Sequence, residues 1–299
     1  MKTLTISLAV ASALSANVAT ANLMYLNLPD NSYDAGRFIG APDADTTTGI
    51  FSEFGYNQLL ATSIYDFTDG TILGSFFDTN DPATLAAYGI PTSGTAFDGI
   101  TTVDLTMPDC PNGQCDIDAL SPLVPPLGTD NEGYLQTWDM QIEYTFFGDL
   151  GASGPTYSGG TFDVYFNDLV DDTNDRLILT GDLTGSLLTG ANLDLFFDIT
   201  FVEDDFLFIQ NDKGVFFDAY DQLLAGGTPR LVLDTNVNPP VPTSDELLLV
   251  AGPSGPAAIR QTTLDGSVTG TIPEPTILGL LGIGLLGIGF AGTRRRQHG

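Results

Sequence analysis

Along the middle of the chain, apolar side chains recur with a period of two. Over residues 137–146, Trp138, Met140, Ile142, Tyr144 and Phe146 share one face, opposite Thr137, Asp139, Gln141, Glu143 and Thr145. This is the alternation of a half-buried antiparallel strand. Residues 192–202 repeat it, with Leu193, Leu195, Phe197, Ile199 and Phe201 opposite Asp194, Asp198 and Thr200. Shorter runs predict strands over 59–67, 71–77, 100–106, 161–167, 176–183, 206–209, 215–220, 230–234, 246–250 and 259–264. Turn-forming residues punctuate them, as in Asn80-Asp81-Pro82, Gly154-Pro155 and Asp212-Lys213-Gly214. Helices are expected only at 82–88 and 219–225. Many short strands between turns predict an all-β fold, an antiparallel β-sandwich with a jelly roll as one form of it. Residues 121–128, with three prolines, read as a loop, and the Pro-rich breaks at 239–242 and 252–256 put the last strands at the periphery.

The two ends follow other patterns. Lys2 precedes an uncharged stretch, 4–16, too short to span a bilayer, and Ala19-Thr20-Ala21 then offers small side chains at the positions a signal peptidase reads. Residues 1–21 are therefore expected to be a signal peptide cut after Ala21, with a cut after Ala16 as the fallback and a short buried helix as the competing interpretation. At the other end, 276–292 carry no charge and Arg294, Arg295 and Arg296 follow. At 1.5 Å per residue such a helix is about 26 Å long, enough for a thin hydrocarbon core. The arginines favour the cytoplasmic side, while the signal peptide sends everything before Pro273 outward. The expected organisation is a signal peptide (1–21), an exported acidic domain (22–272) and a tail (273–299) with a single membrane helix at 276–292.

Pro273-Glu274-Pro275, the Gly/Leu-rich helix and the arginine cluster together closely resemble the PEP-CTERM sorting tail of Gram-negative bacteria. An ordinary membrane anchor explains the helix and the arginines but leaves the Pro-Glu-Pro signature unaccounted for. The resemblance implies processing near Pro273, Glu274 and Pro275 by an integral-membrane exosortase, transient residence in the inner membrane, and association with exopolysaccharide, biofilm or floc formation.

Charge narrows the partners. The formal net charge is −29, and it becomes −32 for residues 22–272 once Lys2, the three C-terminal arginines and Glu274 are set aside. A surface this negative repels nucleic acid and anionic lipid and attracts cations and basic partners. Hydrophobic residues at 42% are ample for a core. Cys110 and Cys115, either side of a Pro/Asn/Gly turn, are expected to form a local disulfide after export. A zinc pair is the rival, but the exported region holds no histidine and no third cysteine.

Asp168, Asp171, Asp172 and Asp175 lie within eight residues and supply the hard oxygen ligands that calcium prefers. Aspartate also favours turns, which is the plainer explanation. Asp234-Thr235-Asn236-Val237-Asn238 opens like a calcium loop but meets Pro239 where a glycine is needed. The leading expectation is thus a non-catalytic surface or matrix protein that meets exosortase and signal peptidase during export and binds exopolysaccharide. The alternatives are a secreted glycosidase, with Glu53, Glu132, Glu143 and Glu203 the carboxylates to test, and a calcium-dependent adhesin. The only histidine, His298, lies in the tail, so histidine-dependent triads are excluded from the exported domain.

Overall fold

A computed structural model describes residues 22–33, 45–90, 103–106, 132–134, 137–211 and 213–272. The expected signal peptide, the Cys110–Cys115 disulfide, the loop at 121–128 and the tail with its membrane helix at 276–292 lie outside the described residues. Among those described, no helix is long and apolar enough to cross a membrane.

The described residues form thirteen strands and two short helices: β1 (Met24–Leu26), β2 (Phe54–Asp66), β3 (Gly74–Thr79), α1 (Pro82–Ala87), β4 (Val103–Thr106), β5 (Trp138–Gly151), β6 (Gly154–Asp168), β7 (Arg176–Thr189), β8 (Asn192–Val202), β9 (Leu207–Gln210), β10 (Phe216–Asp218), α2 (Ala219–Leu224), β11 (Arg230–Asn236), β12 (Leu248–Gly252) and β13 (Gly255–Thr271). The chain is mostly antiparallel β, as its alternation predicts. The predicted strand over 215–220 stops at Asp218, whose carboxylate accepts the Tyr220 N–H (2.8 Å) and opens α2. Similarly, the run at 246–250 begins as a 3-10 turn, Ser244–Glu246, because Glu246 accepts the Thr243 N–H (2.8 Å), and strand pairing starts at Leu248.

The two-sheet sandwich does not describe the strand order. The large sheet runs β12-β13-β11-β8-β7-β6-β5-β3-β2-β4, and a further ladder joins β13 to β2. Strands β2, β3, β5, β6, β7, β8, β11 and β13 therefore close into an eight-membered antiparallel ring, a barrel. β13 makes the closure. Its residues 257–268 pair with β2 along one edge, while the other edge pairs first with β12 and then, over 266–271, with β11. The last strand is thus central, and the break at 252–256 is only its hairpin turn. Sheet β1-β9-β10 is separate and three-stranded.

Register gives the barrel two ends. One gathers the turns after β2, β5, β7 and β12, as the pairs Asp66–Ala257, Gly74–Leu150, Gly151–Gly154 and Thr189–Asn192 show. The other gathers the start of β5, the end of β6 and the end of β8, beside β1 and β9. There Trp138 is fully buried, stacks on Phe166 (5.3 Å, 10°), meets Tyr134 edge-on (4.8 Å) and donates its indole N–H to the Glu132 carbonyl (2.7 Å). Inward-facing residues from every strand of the ring form one apolar core with β1 and β9. Gly160 lets β6 curve within this wall. Its φ is +137°, and a Cβ there would meet the Thr145 carbonyl. A smaller cluster lies outside the barrel, where α1 seats Leu85 on Ile64, Ala257 and Ile259.

Candidate functional site

Beside α1 the outer surface opens into a groove of about 430 Å³. β3, β5 and the turn after α1 supply its aromatic faces: Phe77 lies 5.9 Å from Tyr88 and 6.3 Å from Phe147, centre to centre. Phe147 is 52% exposed. Strand alternation puts it there: Phe146 turns into the core, and the residue after it must turn out. Asp66, Asp149, Thr68, Ser75 and Ser158 supply polar atoms around the rings. The Thr68 hydroxyl and N–H (2.9 Å) both donate to Asp66 and hold its carboxyl below the usual carboxylate range. Gly148 lets β5 approach its neighbours closely here, since a Cβ would strike the Thr156 carbonyl and the Phe76 ring. Exposed ring faces flanked by carboxylate and hydroxyl acceptors suit a ligand with an apolar C–H face and a rim of hydroxyl donors, and the volume falls in the range of small-molecule sites.

Behind this wall, a polar row crosses the barrel interior. Arg260 of β13 pairs in register with Ser63 of β2, and Ser63 with Asp78 of β3. The Tyr157 hydroxyl donates to Asp78 Oδ2. Burial pushes the Asp78 carboxyl up to about 6, against the opposing pull of Tyr157, Ser63 and Arg260. The phenols respond in turn: burial and the neighbouring carboxylate raise Tyr65 to about 12 and Tyr157 well above its ordinary value. Arg260, 5% exposed, donates to the Pro239 carbonyl (3.1 Å) and to Glu246 (3.0 Å), tying the segment after β11 across this end. The barrel also encloses an apolar cavity of about 130 Å³, and Asp78 lines it.

The candidate calcium residues that are described take part in hydrogen bonds. Asp168 is buried, and its two oxygens take four donors: the Val170 N–H (2.8 Å) and Asp171 N–H (2.9 Å) on Oδ1, the Asn174 amide (2.8 Å) and the Tyr33 hydroxyl (3.0 Å) on Oδ2. Burial raises its pKa, but the hydrogen bonds outweigh burial and leave it lowered. Asp171 caps a 3-10 turn by accepting from Thr173, and Asp175 accepts the Asp168 N–H (2.8 Å). The side chain of Asp172 lies outside the described residues. Among the described residues no group of three or more carboxylate, cysteine or histidine side chains is placed to hold a metal ion. The cluster is a hydrogen-bonded knot that fastens the 22–33 segment to the β6–β7 turn. Asp234 and Asn236, the other candidate loop, sit in β11, which is paired on both sides through Thr235.

The four glutamates are dispersed. Glu143 is exposed on β5, Glu203 pairs with Arg176 (3.0 Å), Glu132 is buried beside Trp138, and Glu53 precedes β2. None lines the groove or the cavity. Sequence reasoning missed both sites. Asp66, Tyr88 and Phe147 are far apart along the chain, and the only local hints are the doublets Phe76-Phe77 and Phe146-Phe147, which place one ring of each pair on the polar face.

The described residues define an all-β, antiparallel barrel protein. Residues 271–296, beginning at the last residue of β13, match the family model of the PEP-CTERM protein-sorting motif, a span that takes in Pro273, Glu274, Pro275, Arg294, Arg295 and Arg296. The motif implies an exported protein that is targeted to an exosortase and reaches the cell surface or the extracellular space. No curated protein and no solved structure matches the chain.

Proposed function

We propose that the chain is a non-catalytic component of the cell surface or extracellular matrix whose outer groove binds exopolysaccharide. In this reading, signal peptidase cuts after Ala21, and the helix at 276–292 holds the protein in the inner membrane until the exosortase acts at Pro273-Glu274-Pro275. The matched motif supports export and sorting. The observation that carries the binding role is the half-exposed Phe147 ring, set beside Phe77 and Tyr88 between Asp66 and Asp149. A sugar ring can lay its C–H face on such a surface and donate its hydroxyls to the flanking carboxylates.

The placement of the carboxylates supports binding over hydrolysis. A glycosidase needs one carboxylic acid with a raised pKa next to the scissile bond. Asp66 is held ionised by Thr68, while the raised carboxyl, Asp78, lies in a cavity well below the size range of sugar sites. The test is retention of the mature protein on polysaccharide from its native host. Phe147→Ala should weaken retention about tenfold, the equivalent of about 1.4 kcal/mol. Phe201→Ala, which removes an exposed ring on β8 outside the groove, should leave it unchanged. Equal effects of the two substitutions would refute the groove, and release of reducing sugar that is lost in Asp149→Asn would make the protein an enzyme.

A further inference from the structure

We infer that the barrel interior is a second, independent binding site, for one small alcohol built on a single ring or a short alkyl chain. An eight-stranded barrel is the size at which inward side chains either fill the interior or leave room for one small guest. Here they leave room, about 130 Å³ among Met140, Val164, Leu179, Leu195, Leu207 and Leu231. A wholly apolar cavity of roughly 150 Å³ stays free of water and accepts benzene. The space in this barrel is of that order and its walls are of that kind.

One wall departs from the rest, and it specifies the guest. Asp78 lines the cavity; its Oδ2 accepts from Tyr157 and Ser63 lies beside the carboxyl, but among the described residues no donor meets hydrogen-bond geometry at its buried Oδ1. A buried acceptor without a donor is unfavourable, and a hydroxyl on the guest would satisfy it. The groups that face Asp78 are Tyr157 on β6, Tyr65 and Ser63 on β2, and Arg260 on β13. Arg260 spends its terminal nitrogens on Glu246 and the Pro239 carbonyl, so the row contains a cation without closing an ion pair onto Oδ1. The site therefore couples an apolar chamber to one unfilled acceptor, which selects a neutral molecule with one donor over a hydrocarbon of the same shape.

The test uses the folded exported protein with two probes of nearly equal shape, benzyl alcohol and toluene, read by calorimetry and by methyl NMR shifts. Benzyl alcohol should bind saturably at one per chain and raise the melting temperature, with toluene at least tenfold weaker. Asp78→Leu should abolish that preference while retaining toluene, and Val164→Phe with Leu179→Phe, which fills the chamber, should abolish binding of both. Should Asp78→Leu fail to fold, the wild-type preference between the probes, together with shifts confined to the Leu179 and Leu195 methyls, still decides for or against the site. No saturable binding of either probe, equal affinity for the two, or binding that survives the filled chamber would overturn the assignment.

Discussion

Asp78 sits where a carboxylate is costly to ionise. Its folded pKa of about 6 exceeds the ordinary value of 3.8, so the folded state favours the protonated form. The contribution of this group to stability is full below about pH 4 and is lost as pH rises through 6, a difference on the order of 3 kcal/mol. Tyr157, Tyr65, Ser63 and Arg260 surround the carboxyl, and the two raised phenols, Tyr65 and Tyr157, keep their protons throughout that window. Asp78→Asn should therefore flatten the dependence: urea unfolding at pH 4, 5, 6 and 7 should show the variant gaining on the wild type as pH rises. A constant difference between the two would place the strain elsewhere. Nothing in the sequence marks this residue, because Phe77-Asp78-Thr79 reads equally well with Asp78 on the solvent face. Only the pairing of Phe76 with Tyr65 and of Asp78 with Ser63 turns it inward.

At the scale of elements, the turn between β6 and β7 shows how one composition supports two readings. Four aspartates in a short span suit a cation and suit a turn equally, and the sequence carries no sign of which donors will arrive. The deciding donor, the Tyr33 hydroxyl, lies 135 residues away. Since Asp168 already accepts four hydrogen bonds, calcium should find no vacant cage. Melting temperatures in sodium and calcium buffers of equal ionic strength should coincide, and a calcium-specific rise abolished by Asp171→Asn with Asp175→Asn would reverse that conclusion. Asp168→Ala should cost about 3 kcal/mol or more, because it strands several buried donors, whereas Tyr33→Phe should cost about 1 kcal/mol. Strand existence was legible wherever one face was clearly apolar, as in β5 and β8. β1 was not, because a three-residue strand carries no period, and the true extent of β13 was hidden by Gly266 and Gly270 and by glycine-rich turns.

For the whole molecule, charge dominates. Cations are scarce, and among the described residues Arg176 pairs with Glu203, Arg230 with Asp198 and Arg260 with Glu246. Meanwhile Asp194 lies directly opposite Asp234, Asp182 opposite Asp198, and Glu143 opposite Asp163 across neighbouring strands. Like charges in register are destabilising, and Asp194 shows it: burial and then Asp234 raise its pKa. Salt at about 0.15 M, where the Debye length is about 8 Å, should raise the melting temperature. Asp234→Asn should stabilise the protein by a few tenths of a kcal/mol to about 1 kcal/mol near neutral pH, and the gain should shrink at high salt. A gain indifferent to salt would show that the substitution acts through something other than repulsion. This acidity was fully legible in composition, but the closed ring was not. An alternating strand looks the same in a sandwich and a barrel, and closure depends on pairs such as Gln261 with Thr62, 199 residues apart.

β13 ends at Thr271, the residue at which the sorting motif begins. Passage through the membrane from the N-terminus delivers β2 early and its partner β13 last, so the β2 edge waits while nearly all of the domain emerges. Pairing across so long a stretch of chain is slow, and an open strand edge is a template for aggregation until it is filled. The seam can close only when the residues next to the sorting motif have emerged. In the route proposed above, a cut at Pro273 would set free a finished barrel, and a cut a few residues earlier would set free one whose last stave is short. On that proposal the tail would be a clock as much as an address: its position in the chain would tie departure from the membrane to the moment at which the fold has nothing left to wait for.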